Sequence, residues 1–134
     1  MASVDELAAF LDTQSTRFTS GTNLFVNWMP PDPDTCSALY ETGGLAPQQV
    51  FSRDLPAYER PSFQLLCRAS ASSSARANIH AAWIIAQKVA NESLSSKTWL
   101  RVEPLQSPFY LRRDEQGRYE YAANFSAMRA TTST

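Results

Sequence analysis

The sequence predicts an α+β domain: a mixed, twisted β-sheet with one long helix packed on a face and a short helix at the N-terminus. Three observations carry this. A helical spacing of apolar residues opens the chain, a second and longer one runs from 72 to 91, and the segments before and after the second are short runs of alternating or strand-forming residues. The chain has 134 residues, which fits one domain, and 43% of them are apolar, enough for a core without staples. We place the domain at 1–128 and read 129–134 as a short polar tail, frayed at the end.

The first helix is expected to begin at Ser3-Val4-Asp5-Glu6, which has the form of a capping box. The serine oxygen would accept the amide of Glu6, and the glutamate would reach back. Val4, Leu7, Ala8 and Leu11 then share one face. "LFVNWM", 24–29, reads as a strand that the prolines at 30, 31 and 33 end, because proline cannot donate to a ladder. "SALYET", 37–42, is a second strand, stopped by Gly43-Gly44. From Leu45 to Arg60 there is no clean period, so the stretch is expected to be a loop hinged at the glycines. Phe51, Arg53, Asp54 and Tyr58 would be its partner-facing groups. A loop folded over the domain's own core is the competing expectation.

"PSFQLLCRA", 61–69, alternates Phe63, Leu65 and Cys67 against Gln64, Leu66 and Arg68. Leu66 breaks the pattern and suggests cover on both faces. In the helix at 72–91, Ala75, Ile79, Ala82, Trp83, Ala86, Val89 and Ala90 gather on one side. Arg76, His80, Gln87 and Lys88 lie on the other, with Ile84 among them as a possible subunit contact. "TWLRVEPL", 98–105, places Trp99, Arg101 and Glu103 on one face, a mixed aromatic and charged stripe suited to an interface or, for Trp99, to packing under the helix. "RRDEQGR", 112–118, is a charged turn, and "RYEYAANFSAM", 118–128, alternates Tyr119, Tyr121, Ala123 and Phe125 against Arg118, Glu120, Ala122 and Asn124.

Several function classes find no support in these residues. The net charge of −1 lacks the basic excess that gripping phosphates needs, and Arg112-Arg113 is offset by Asp114-Glu115. No apolar run is long enough to cross a membrane, and the acidic start "MASVDELAAF" does not read as a signal peptide. Cys36 and Cys67 form no C-x-x-C pair and are expected as buried thiols, although two strands that met could bridge them. His80 is the only histidine, so neither a histidine-clustered zinc site nor a supported triad is available. Asp32 and Asp34 begin like a calcium loop, but the ligand rhythm does not continue; Asp-Pro pairs start turns without metal. No cofactor or metal is expected. A small cytoplasmic enzyme using Asp32 and Asp34 is the least supported reading.

"LFVNWMPPDPDTC", "LYETGG", "ERPSFQLLCRA" and "LQSPFYLRRDEQGRYEYAANF", in this order and spacing over about residues 4 to 128, resemble the bacteriophage minor capsid and tail-terminator family. Asn27 stands where many relatives would have glycine. The resemblance implies a twisted sheet with the long helix on one face. It also implies a structural role without an active site: a hexameric ring at the head–tail junction of the virion, assembled in the host cytoplasm. Such a ring caps the tail tube protein, stops its polymerisation and docks on the head-completion or connector protein, while DNA passes through the lumen without specific binding. A head-completion or stopper ring is the nearest alternative. The surfaces expected to serve this role are Phe51, Arg53, Asp54 and Tyr58, Ile84, the Trp99–Arg101–Glu103 stripe, and Arg112 and Arg113.

Overall fold

In a computed structural model, which describes residues 2–48, 58–94 and 97–133, the chain runs α1 (Ser3–Gln14), β1 (Leu24–Val26), β2 (Cys36–Gln48), β3 (Tyr58–Ala69), α2 (Ser72–Ala86), β4 (Ala90–Leu94), β5 (Lys97–Pro104), β6 (Phe109–Arg113) and β7 (Tyr119–Ser133). Seven strands form one mixed sheet, six of them in the order β1-β2-β3-β7-β5-β4 with β6 beside β7, curled into a half-barrel. β1 lies parallel to β2; the other pairs are antiparallel. β7 is the spine. β3 pairs along one of its edges, while β6 and then β5 share the other.

Both helices pack on one face of the sheet. α2 lies over β3 and β7, and α1 reaches β1, β2, β4 and α2. Beneath them, Leu39, Phe63, Leu65, Cys67, Ala123 and Phe125 meet Leu7, Leu11, Ile79 and Ala82. The period-two reading of β3 and β7 therefore holds. So does the expectation from Leu66, which points to the far face yet is buried. There it is flanked by Ala38 and Ala122 in the same cross-strand row, both fully buried.

The strand and helix bounds depart from expectation where side chains meet residues distant in sequence. Ser3 is already helical, Ala2 is the N-cap, and the helix start has no side-chain cap. Glu6 does not reach back because it is turned inward: its Oε1 accepts the Trp99 indole N–H at 2.8 Å, and its Oε2 faces Arg129 at 3.3 Å. Arg129 also pairs with Glu59. Residues 129–133 are consequently not a frayed tail but the end of β7, with Ser133 opposite Lys97. β1 stops at Val26 because Asn27 takes a left-handed φ of 63°. α2 stops at Ala86, and Ala90–Leu94, with Asn91 also left-handed, form β4, which the helical period had hidden. Gly43-Gly44 does not release the chain. β2 runs through both, and a Cβ at Gly44 would collide with the Arg60 carbonyl, so glycine here serves a close approach of two strands. The bounds of the loop expected at 45–60 are thereby corrected: Leu45 pairs with Arg60 and Gln48 with Tyr58.

Cys36 and Cys67 sit on adjacent strands but alternate to opposite faces, and both are free thiols. Burial pushes the Cys67 thiol up to about 12, although Ser37 Oγ lies 3.0 Å from its sulfur. Burial also raises Cys36, against the opposing charge of Arg68. We expect neither thiol to react with a disulfide reagent at pH 8 in the native protein and both to react after unfolding; reaction of one thiol before unfolding would contradict this burial.

Truncating Arg129 leaves Glu6 charged and buried without its ion pair. We expect Arg129→Ala to cost on the order of 3–5 kcal/mol in urea unfolding. Arg101→Ala, which removes the exposed pair with Glu103, should cost less than about 1 kcal/mol.

Candidate interaction surface

The segment after β1 is a braced corner. Asn27 donates its amide to the Leu39 carbonyl at 2.9 Å, accepts the Glu41 N–H on Oδ1 at 2.9 Å, and donates Nδ2 to Glu41 Oε2 at 3.1 Å. Its side chain thus continues, in place of β1, the pairing along the edge of β2. The left-handed φ explains why glycine would suit this position and why asparagine is tolerated there. Trp28 follows, 55% exposed, its ring edge-on to Phe25 at 5.6 Å.

Two buried arginines then hold the polar part of the corner. Arg68, on the far face of β3, donates to the carbonyls of Pro33 at 2.6 Å, Asp34 at 3.3 Å and Pro31 at 3.4 Å. Arg118, at the start of β7, donates to the Pro31 carbonyl at 2.6 Å and pairs with Asp34 at 3.2 Å and Asp114 at 2.7 Å. The aspartates are therefore used in two different ways. Asp34 and Asp114 neutralise Arg118, while Asp32 is exposed. Among the described residues no three His, Cys, Asp or Glu side chains are grouped to hold a metal. The hollow between Arg17, Thr35 and the start of α2, of about 370 Å³, has Arg17 tied to Asn78 Oδ1 at 2.7 Å. This corner is built as architecture that presents an aromatic side chain.

The expected contact residues fare unequally. Phe51, Arg53 and Asp54 lie outside the described residues. Tyr58 opens β3, opposite Gln48 and Ala130. Ile84 is exposed at 47%. Trp99 is a correction: it is fully buried, stacked on Phe63 at 6.1 Å and bonded to Glu6, so its indole is not available to a partner. The cause is a bulge. Trp99 pairs with Arg129 and Arg101 with Met128, so β5 spends one extra residue at Leu100, and Trp99 turns inward with Val102. Arg101 and Glu103 stay outside, paired with each other at 3.4 Å. Arg112 reaches Glu120, and Arg113 lies 4.7 Å over the Tyr119 ring while donating to the Gly117 carbonyl.

Three exposed apolar residues were not anticipated: Trp28, Leu105 at 59% and Tyr110 at 51%. Each is bounded by a proline or a strand end. Leu105 is held beside α2, where Trp83 Nε1 donates to the neighbouring Gln106 carbonyl at 3.1 Å. An aromatic placed between a strand and a proline pair, as in Trp28-Met29-Pro30-Pro31, was the available signal.

The family model for the bacteriophage tail terminator protein matches residues 8–130. The chain belongs to the bacteriophage tail terminator family. No curated protein matches it. Among solved structures it is similar to a chain of the virion of a native gene transfer agent particle, with a TM-score of 0.67 and 18% identity over 97% of this chain and 99% of that one. At that identity the likeness concerns the fold. In this member of the tail terminator family, the braced corner and the paired surface charges suit a structural protein of the phage tail, as the family's character suggests.

Burial would raise the Asp114 carboxyl, but hydrogen bonds from the Arg118 amide and guanidinium, its charge, and the Gln116 amide outweigh it and hold it below the ordinary aspartate range. A carboxyl depressed in the fold stabilises fully above its unfolded value of about 4 and loses that contribution as pH falls through the folded value. We therefore expect stability to drop below about pH 4 and Asp114→Asn to flatten that part of the profile. An unchanged acid limb in Asp114→Asn would place the titration elsewhere.

Proposed function

We propose that the protein is a ring-forming tail terminator of the phage neck. Copies associate side by side, the ring caps the tail tube and ends its growth, and its other face docks the head-completion or connector protein while DNA passes through the lumen. The observation that carries this reading is the family match across nearly the whole chain. The virion origin of the structural neighbour and a surface of braced aromatics and mutually paired charges support it. The remaining expected contacts, Phe51, Arg53, Asp54, Tyr58, Ile84, Arg101, Glu103, Arg112 and Arg113, are proposed as parts of the contact surfaces.

Purified protein should form closed rings by negative-stain imaging. Added to polymerising tail tube protein, it should stop elongation and sit at one end of each tube. Rings that bind the connector but leave tube growth unaffected would favour a head-completion role instead. Duplex DNA should be retained weakly and only at low salt, since net charge is near zero. Saturable binding near physiological salt would contradict free passage.

A further inference from the structure

The near-zero net charge conceals a segregation. Residues 18–48, which include β1, the corner and β2, contain Asp32, Asp34 and Glu41 and no lysine, arginine or histidine. Residues 84–103, from the end of α2 through β4 along β5, contain Lys88, Lys97 and Arg101 against Glu92 and Glu103, the last paired with Arg101. These two stretches lie at opposite ends of the strand order, where β1 and β4 are the terminal strands.

Each end also exposes an apolar residue. The acidic end has Trp28, held by Asn27, Phe25 and the arginine-anchored corner; the basic end has Ile84, one turn before the exposed Lys88. A side chain already fixed in place loses little entropy on docking, which is the property of an anchor residue. Beyond Leu39, moreover, the outer edge of β2 is met among the described residues only by the Asn27 side chain, and Glu41 to Gly44 are exposed. An open edge of this kind is a ready surface for another chain.

We propose that the two ends join in a second copy of the chain. The Trp28 corner and β2 edge of one subunit seat against the Ile84–Lys88 end of the next, with Asp32 and Glu41 facing Lys88. The joint uses two different surfaces, so each subunit keeps one of each free, and repetition about an axis closes a ring rather than a two-fold dimer. This inference rests on the ring reading above and names its seam.

The test uses two full-length variants. Trp28→Glu blocks the acidic end, and Ile84→Glu with Lys88→Glu blocks the basic end. Circular dichroism establishes that each is folded, since all three positions are exposed. Each variant alone should be monomeric by native mass spectrometry at concentrations at least about tenfold above those at which the parent forms rings, as loss of an anchor requires. Mixed together they should form a one-to-one dimer, because each retains the end that the other lacks. Rings in either single variant, or only monomers in the mixture, would overturn the seam. A parent that forms no ring would instead overturn the reading on which the seam rests.

Discussion

Arg129 is the side chain on which the packing of this protein turns. It lies near the end of β7 and is buried, so its charge must be answered inside the fold. Glu6 from α1 and Glu59 from β3 answer it. Glu6 in turn receives the indole of Trp99 from β5. The strand register sets Glu92, Trp99, Arg129 and Glu59 in one row across four strands, with Glu6 arriving from the helix above. A misplacement of any of these elements would leave a charge without its counter-charge. The row therefore specifies arrangement more than it adds stability, because desolvating three ions offsets much of their attraction.

A pair of arginines does the equivalent work at the other end of the sheet. Arg68 and Arg118 spend their donors on the carbonyls of Pro31, Pro33 and Asp34, which proline-rich backbone cannot satisfy by strand pairing. The result is an irregular segment held as firmly as a strand. That firmness separates the corner from an ordinary surface loop and gives Trp28 its fixed pose.

Much of the fold was legible because it is local. The period of α1, the alternation of β3 and β7 and the double burial signalled by Leu66 all follow from neighbours in sequence. What escaped reading is non-local. Ser3 and Glu6 have the spacing of a capping box, yet a residue 93 positions away claims the glutamate. Trp99 alternates correctly with Arg101 on paper, and one bulged residue reverses it. Gly43-Gly44 reads as punctuation, whereas the Arg60 backbone is the reason for Gly44. Arg129 looks like tail composition until its two carboxylates are placed around it. The candidate surface was legible only in part, through Ile84 and the exposed charges of β5 and β6, because exposure of Trp28 depends on where the corner is tied.

Many of the titratable groups of this protein are spent on one another in fixed pairs. Arg118 is answered by Asp34 and Asp114, Arg112 by Glu120, Arg101 by Glu103 and Arg129 by Glu6 and Glu59. Beyond those pairs, exposed charged groups lie at both ends of the strand order, Asp32 near β1 and Lys88 before β4. An arrangement with unlike ends favours head-to-tail association over self-pairing, since apposing two acidic ends or two basic ends brings like charges together.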